Sequence, residues 1–305
     1  MTTVLVHLAS GVGNIILATP LLVVLSRNGL CVDVLVDGDY PDTAELLAGW
    51  SAVRHVFNGA AGERATGDHD AVIPAIPPFY WPRYRARYAR ERRCVQRPSD
   101  ALFYEDEQRY YLEFARKWGC ETEPQPSYFL PIRADETRGV TASTLVIAPG
   151  CKTGEMAAKR WPYFAQLAAS FHDVAVVGSS ADLRTREGKQ FSFPAHARSF
   201  VDRLTLRQTA QVMAAAGAVV ANDSGLAHIA GAVGVPTVVI FGPTPDRSLG
   251  SLPPNVEVVR AGLRCEPCWF GHRFYACDGR IDCLTEVGVE SVAHAICRSM
   301  GNPAS

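Results

Sequence analysis

Residues 218–243 constrain the fold of this chain more than any other stretch. Two apolar runs, 218–221 and 236–241, enclose the polar cluster Asn222-Asp223-Ser224-Gly225 and a small-residue segment, 226–233. That pattern predicts strand, helix and strand with connections of a few residues. Two strands joined through a helix run parallel in one sheet. The polar cluster then falls where the first strand ends and the helix begins, where unbonded backbone N–H groups and the helix dipole favour an anion. One reading is a phosphate site; the other is that Asp223 or Ser224 only caps the helix, and local chemistry leaves both open.

The same alternation runs through the rest of the chain. Residues 4–8 form an apolar strand that opens into Ala9-Ser10-Gly11-Val12-Gly13-Asn14, followed by helical character over 15–25 with Pro20 inside it. The glycine spacing is not the dinucleotide-binding fingerprint. Strands are expected at 32–36, 53–57 and 70–73, with a helix at 43–48 and a polar loop at 59–68. A second series begins at 145–148 and opens into the polar loop Pro149-Gly150-Cys151-Lys152-Thr153-Gly154. It continues with a helix at 164–171, a strand at 174–177, a helix at 205–216 and a last helix at 286–300. Between the series, residues 121–144 hold Pro124, Pro126 and Pro131 and no apolar period, the composition of a linker. Two α/β domains are therefore expected, 1–135 and 136–305, each long enough to bury its own core.

With 48% apolar and 20% charged residues and a formal net charge of -1, the composition gives no sign of disorder or of a strongly basic, nucleic-acid-binding chain. No apolar run approaches the ~20 residues that span a bilayer, so stable membrane insertion is not expected. The first residues lack a basic leader with an apolar core, and a cytoplasmic location is the expectation.

One segment departs from this average. Between residues 77 and 93, Phe79, Tyr80, Trp81, Tyr84 and Tyr88 interleave with Arg83, Arg85, Arg87, Arg90, Arg92 and Arg93. Guanidinium forks pair with planar anions and rings stack on sugar or base faces, so Arg83, Arg85, Arg87 and Tyr84 are candidates to bind an anionic or phosphorylated acceptor. A solvated helix whose arginine stems cover apolar surface fits the same residues. Residues 101–118 read as one helix, with Glu105, Asp106 and Glu107 near its start. Late in the chain, Cys265, Cys268, Cys277 and Cys283 crowd one loop, the spacing of a tetrahedral metal site that would hold structural zinc or iron. Four reduced, unliganded thiols are the alternative, and the other five cysteines are scattered.

Asn222-Asp223-Ser224-Gly225-Leu226-Ala227-His228, then Gly234-Val235-Pro236-Thr237 and Phe241-Gly242-Pro243-Thr244, resemble the nucleotide-sugar signature of the lipopolysaccharide heptosyltransferases, glycosyltransferase family 9. Gly11-Val12-Gly13-Asn14 with Ala18-Thr19-Pro20, Lys159-Arg160-Trp161-Pro162 and the late cysteines follow that family's order. The resemblance implies the GT-B fold, two Rossmann-like domains facing an interdomain cleft, with acceptor bound by the first domain and nucleotide-sugar by the second. It implies an inverting enzyme that needs no cofactor for catalysis and moves a heptose from an ADP-linked donor to a hydroxyl of an acceptor such as lipopolysaccharide core. Gly13, Lys159, Asp223, Ser224, Gly225, Leu226, His228 and Thr244 would hold the donor, with Lys159 on the diphosphate.

Many members carry an aspartate, the proposed general base, where this chain has Asn14, and an amide cannot take a proton at neutral pH. Asn14 is then expected to position substrate, and Asp106 to replace the base, if its helix points into the cleft as in the family. Some relatives that modify autotransporter proteins resemble the cysteine pattern in having an iron-bound finger. A protein, nucleic-acid or small-molecule acceptor, an oligomer, or a catalytically decayed nucleotide-sugar binder are the other readings.

Overall fold

The structure, a computed structural model, describes residues 2–37, 40–59, 69–152, 159–268 and 280–301. It divides into two units: Met1–Pro131 with Arg247–Leu252, and Ile132–Asp246 with Pro253–Ser305. Among the described residues, no helix is long and apolar enough to cross a membrane.

In the first unit, β1 (Thr3–Ala9) is followed by α1 (Val12–Leu17), α2 (Thr19–Arg27), β2 (Cys31–Asp37), α3 (Ala44–Leu47), β3 (His55–Asn58) and β4 (Ala71–Pro74). The strands form a parallel sheet in the order β3-β2-β1-β4. β1 lies inside it and is buried over residues 4–9, which is why its sequence is a continuous apolar run rather than an alternating one. The helix expected over 15–25 is two helices. Thr19 Oγ1 donates to the Ile16 carbonyl at 2.7 Å and accepts from the Phe129 N–H at 3.1 Å, and Pro20 falls in the first turn of α2, where a missing N–H breaks no helical bond. At the other end of β2, Asp33 accepts from the Arg54 guanidinium and pairs with His69 at 2.8 Å, which ties β2 to the segments that flank β3 and β4.

After β4 come α4 (Trp81–Tyr88), α5 (Asp100–Glu105) and α6 (Glu107–Lys117). The single helix predicted over 101–118 breaks at Asp106, whose backbone is extended (φ -156°, ψ 100°) and whose carboxylate accepts from the Arg109 N–H at 2.9 Å. A helix restarts there because Asp is among the best N-caps. Tyr110, Tyr111, Phe114 and Ala115 form the buried stripe of α6. Residues 247–252 pack onto the start of this helix: the fully buried Gln108 donates to the carbonyls of Leu249 (2.7 Å) and Ser251 (2.9 Å). Gly250 between them has φ +85°, and a Cβ there would lie 2.6 Å from Asp106 Oδ1, so this turn requires glycine.

The second unit holds β5 (Leu145–Ala148), α7 (Phe164–Ala169), β6 (Val174–Val176), β7 (Arg198–Ser199), α8 (Leu206–Ala215), β8 (Ala218–Asn222), α9 (Gly225–Ala232), β9 (Thr237–Ile240), β10 (Val256–Val259), α10 (Asp282–Thr285) and α11 (Val289–Ser299). Its sheet is parallel in the order β10-β9-β8-β5-β6-β7. β8-α9-β9 is the strand, helix, strand unit of residues 218–243, at the middle of the sheet. Edge strands β7 and β10 carry no strong sequence signal: β7 is two residues long and β10 is only half-buried. Residues 121–144 contain no helix or strand, yet Tyr128, Leu130, Ile132 and Val140 are buried.

Candidate active site

In the second unit three strand ends converge. β9, β8 and β5 are neighbours, so the loops that leave their carboxyl ends lie side by side. Asp223, the first residue after β8, accepts from Lys159 Nζ at 2.8 Å, contributed by the β5–α7 connection, and from Thr244 Oγ1 at 2.8 Å, contributed by the loop after β9. His228 Nε2 lies 3.9 Å from the same carboxylate, one turn into α9. Burial alone would raise the Asp223 carboxyl, but the Lys159 ammonium, His228 and the Thr244 hydroxyl hold it below the ordinary carboxylate range. Burial pushes His228 down to about 4 despite the neighbouring carboxylate, so its imidazole is neutral at pH 7.

Asn222, fully buried, fixes this arrangement from below. Its Oδ1 accepts from the Trp161 N–H at 2.9 Å and its Nδ2 donates to the Pro149 carbonyl at 2.6 Å, so one amide stitches both ends of the β5–α7 connection to β8. Trp161 is itself fully buried and its indole N–H donates to the Val287 carbonyl at 2.9 Å. Lys159 is thus two residues from a rigid anchor. At the start of α9, Ser224 occupies the N-cap position without a side-chain cap bond, and its buried Oγ has no hydrogen-bond partner among the described residues. Gly225 and Leu226 open the helix there. Capping does not explain these residues, because Asp223 turns to Lys159 and Thr244 while Ser224 caps nothing.

In the first unit the loop after β1 leads to a second buried carboxylate. Asn14, in the first turn of α1, donates through Nδ2 to Glu107 Oε1 at 2.7 Å, and the Tyr111 hydroxyl donates to the same oxygen at 3.1 Å. Gly13 precedes Asn14 in that turn. Glu107 is 5% exposed, whereas its neighbour Asp106 is engaged as the α6 cap.

The basic, aromatic segment divides between core and surface. Tyr80 and Tyr88 are buried, and Tyr84 is half-buried with its ring edge-on to buried His7 at 5.0 Å. Arg83 and Arg85 are exposed on α4 and Arg87 is half-buried. Arg83 lies over the Tyr80 ring at 4.9 Å and Arg87 over Tyr88 at 5.8 Å, so part of the interleaving serves intramolecular cation–π stacking.

Of the four late cysteines, Cys277 lies outside the described residues. Cys265 is exposed, Cys268 half-buried and Cys283 buried. The Cys268 N–H donates to the Pro243 carbonyl at 3.0 Å, and a Cβ on Gly242 would come within 3.2 Å of Cys283 Sγ, so these two flank the loop after β9. Among the described residues no three His, Cys, Asp or Glu side chains gather as for a metal ion.

The family profile described as glycosyltransferase family 9 (heptosyltransferase) matches residues 89–273, which takes in α5, α6 and both loops around Asp223. The chain belongs to glycosyltransferase family 9. It is 34% identical over 122 residues to the lipooligosaccharide heptosyltransferase 2 of Haemophilus influenzae, an alignment that takes in 37% of this chain and 35% of that protein. The chain thus aligns over about a third of the length of the curated relatives it matches. Two solved structures share the fold over nearly the whole chain. One is the E. coli ADP-heptose lps heptosyltransferase II (TM-score 0.71, 20% identity, 98% of each chain covered). The other is a family 9 glycosyl transferase from Veillonella parvula (TM-score 0.72, 16% identity, 98% of this chain and 97% of that one). The two parallel sheets are those of the GT-B fold expected from the sequence.

Within the family frame, Lys159, Asp223, Thr244 and His228 of the expected donor set lie together, and Asn14 belongs to a separate cluster in the first unit. Neither Glu107 nor Asn222 is among the site residues to which the sequence points. Glu107 had a signal: with Tyr111 and Phe114 it occupies positions i, i+4 and i+7, a carboxylate in phase with the apolar stripe of an amphipathic helix.

Proposed function

We propose that the chain is an inverting glycosyltransferase that moves a sugar, a heptose from an ADP-linked donor, to a hydroxyl acceptor such as lipopolysaccharide core. The observation that carries this reading is the Lys159–Asp223–Thr244 cluster beside the uncapped start of α9. Asp223 holds the ammonium of Lys159 where three strand ends meet, next to the backbone N–H groups of Gly225 and Leu226. A diphosphate placed there gains one point charge and the positive end of a helix dipole, which offset the charge that grows as the sugar leaves. Neutral His228 can donate one hydrogen bond to the donor without adding charge. The donor choice is supported by the family and by the ADP-heptose named for the E. coli structure. Calorimetry with ADP, GDP and UDP tests it: tight binding of ADP is expected, and binding of UDP or GDP alone would refute the donor while leaving the fold untouched.

The acceptor side rests on less specific chemistry. Exposed Arg83 and Arg85 suit an anionic or phosphorylated acceptor, whether lipopolysaccharide, protein or nucleic acid. Asn14 favours a second reading, a nucleotide-sugar binder that has lost turnover. Release of ADP from ADP-heptose by the purified protein, abolished in Lys159→Ala, separates the two, since the decayed binder would hold ADP-heptose intact.

A structural zinc or iron ion on Cys265, Cys268, Cys277 and Cys283 is a further part of the proposal. It is supported by the donor chemistry and by the approach of Cys268 and Cys283 to Gly242 and Pro243. Four thiolates fill a tetrahedral shell and take no part in the reaction. Elemental analysis should find one ion per chain, lost in Cys268→Ser with a fall in melting temperature.

A further inference from the structure

The loop after β9 delivers Thr244 to Asp223, and the sheet does not set its path. The last ladder bond between β9 and β10 runs from the Phe241 N–H to the Val259 carbonyl at 3.0 Å. Donors on one side of an extended strand recur every second residue, and the next one falls on Pro243, which has no N–H. Pro245 removes another. Residues 241–245 are nevertheless buried, so the carbonyls of this loop need donors from elsewhere.

Arg260, the residue that follows β10, supplies them. Its Nη1 donates to the Gly242 carbonyl at 3.1 Å, and its Nη2 donates to the Thr244 carbonyl at 2.9 Å and to Asp246 Oδ1 at 2.7 Å. The guanidinium also lies over the Phe241 ring, 5.0 Å from its centroid, and Glu266 Oε2 stands 4.0 Å from Nη1. Asp246 and Glu266 thus compensate the charge while the fork holds backbone. The carbonyl between its two acceptors, that of Pro243, takes the Cys268 N–H. A planar guanidinium presents donors at fixed angles to acceptors two residues apart, which the single ammonium of a lysine does not reproduce.

Resting on the donor-binding reading above, we infer that Arg260 is a positioning residue of this site, acting through Thr244. Thr244 is clamped at both ends: its carbonyl is held by Arg260 and its hydroxyl donates to Asp223 Oδ2 at 2.8 Å. That same oxygen accepts from Lys159 Nζ at 2.8 Å. Two donors therefore share one carboxylate oxygen, and the reach of the Thr244 hydroxyl is fixed by where Arg260 holds its backbone. With the hydroxyl withdrawn, the Lys159 ammonium is the one hydrogen-bond donor left on Oδ2 among the described residues. A charge-assisted bond that no longer shares its acceptor tightens, and the ammonium becomes less available to a diphosphate.

A double-mutant cycle read by ADP calorimetry tests this. Arg260→Lys and Thr244→Val should each weaken ADP binding by about 3–10-fold, the scale of one hydrogen bond. In the Thr244→Val background Arg260→Lys should cost less than about twofold further, because its effect travels through a hydroxyl already removed. In Thr244→Ser, which keeps the hydroxyl, the full loss should persist. Melting temperature supplies the contrast: the lost carbonyl bonds should lower it by the same amount in every background, as a purely structural role would. If Arg260→Lys does not fold, Asp246→Ala, which loosens the fork at its more exposed side, carries the same cycle with a loss of about threefold. Losses that multiply in the Thr244→Val background, or an ADP affinity that the fork variant leaves unchanged, would overturn this inference alone. Wild-type protein that does not bind ADP would overturn the donor reading, and this one with it.

Discussion

Each half of the chain holds a buried carboxylate beside a strand-end loop, and the two are furnished in opposite ways. Asp223 meets an ammonium, a hydroxyl and an imidazole, and the cation holds it ionised. Glu107 meets an amide and a phenol on Oε1. The first arrangement holds a lysine ammonium at the end of the sheet; the second ties the start of α6 to the loop after β1. A carboxylate thus joins three strand-end loops in one unit and a helix to a loop in the other.

The sharpest way to break that comparison is Lys159→Ala. Turnover should drop by about 10²–10³-fold and ADP binding should weaken at least about tenfold. Glu107→Gln, by contrast, should leave binding intact, so equal losses of affinity in the two variants would erase the distinction.

Acid provides the next test. The folded pKa of His228, about 4, lies below its ordinary 6.5, so the neutral ring contributes stability that is fully present above pH 6.5 and is lost as pH falls toward 4. The span corresponds to about 3 kcal/mol. Asp223, whose carboxyl is also lowered, adds a loss only below the ordinary carboxylate range. Chemical denaturation from pH 7 to 4 should show this decline, and His228→Asn should flatten it; an unchanged slope in the variant would mean that other groups set the acid limit.

Smaller effects concern the start of α6. Gly250→Ala forces a side chain onto a positive φ and against Asp106, and should cost about 1–2 kcal/mol in stability. Asp106→Asn should be the mildest, because asparagine caps a helix as well as aspartate does. Its melting temperature should hold and its turnover should stay within about twofold of wild type, while a large loss of turnover would place the Asp106 carboxylate in the reaction.

Much of this architecture was legible in the residues. Apolar runs ending in glycine or polar clusters marked β1, β5, β8 and β9, because buried parallel strands must be apolar on both faces and must open into loops at one end. The edge strands β7 and β10 escaped, being short and half-exposed, where pairing rather than burial defines them. In the candidate site, Asp223, Lys159 and Thr244 could be named because each sits in a local motif. Their meeting on one carboxylate could not, since it depends on strand order β9-β8-β5. The break at Asp106 and the burial of Glu107 were hidden for a related reason. Acidic residues near a helix start read alike in sequence, and only packing separates a capping carboxylate from one turned inward.

The peptide 247–252 bears on how freely the halves of such a protein can be exchanged. Although it follows β9 in the chain, its carbonyls receive the buried amide of Gln108 and its glycine fits against Asp106. A chimera that takes residues 132–305 from a relative therefore also imports six residues that pack in the other unit. Unless that hexapeptide is kept native, with glycine at its fourth position, the recombinant inherits a mismatch at the very helix that carries Glu107.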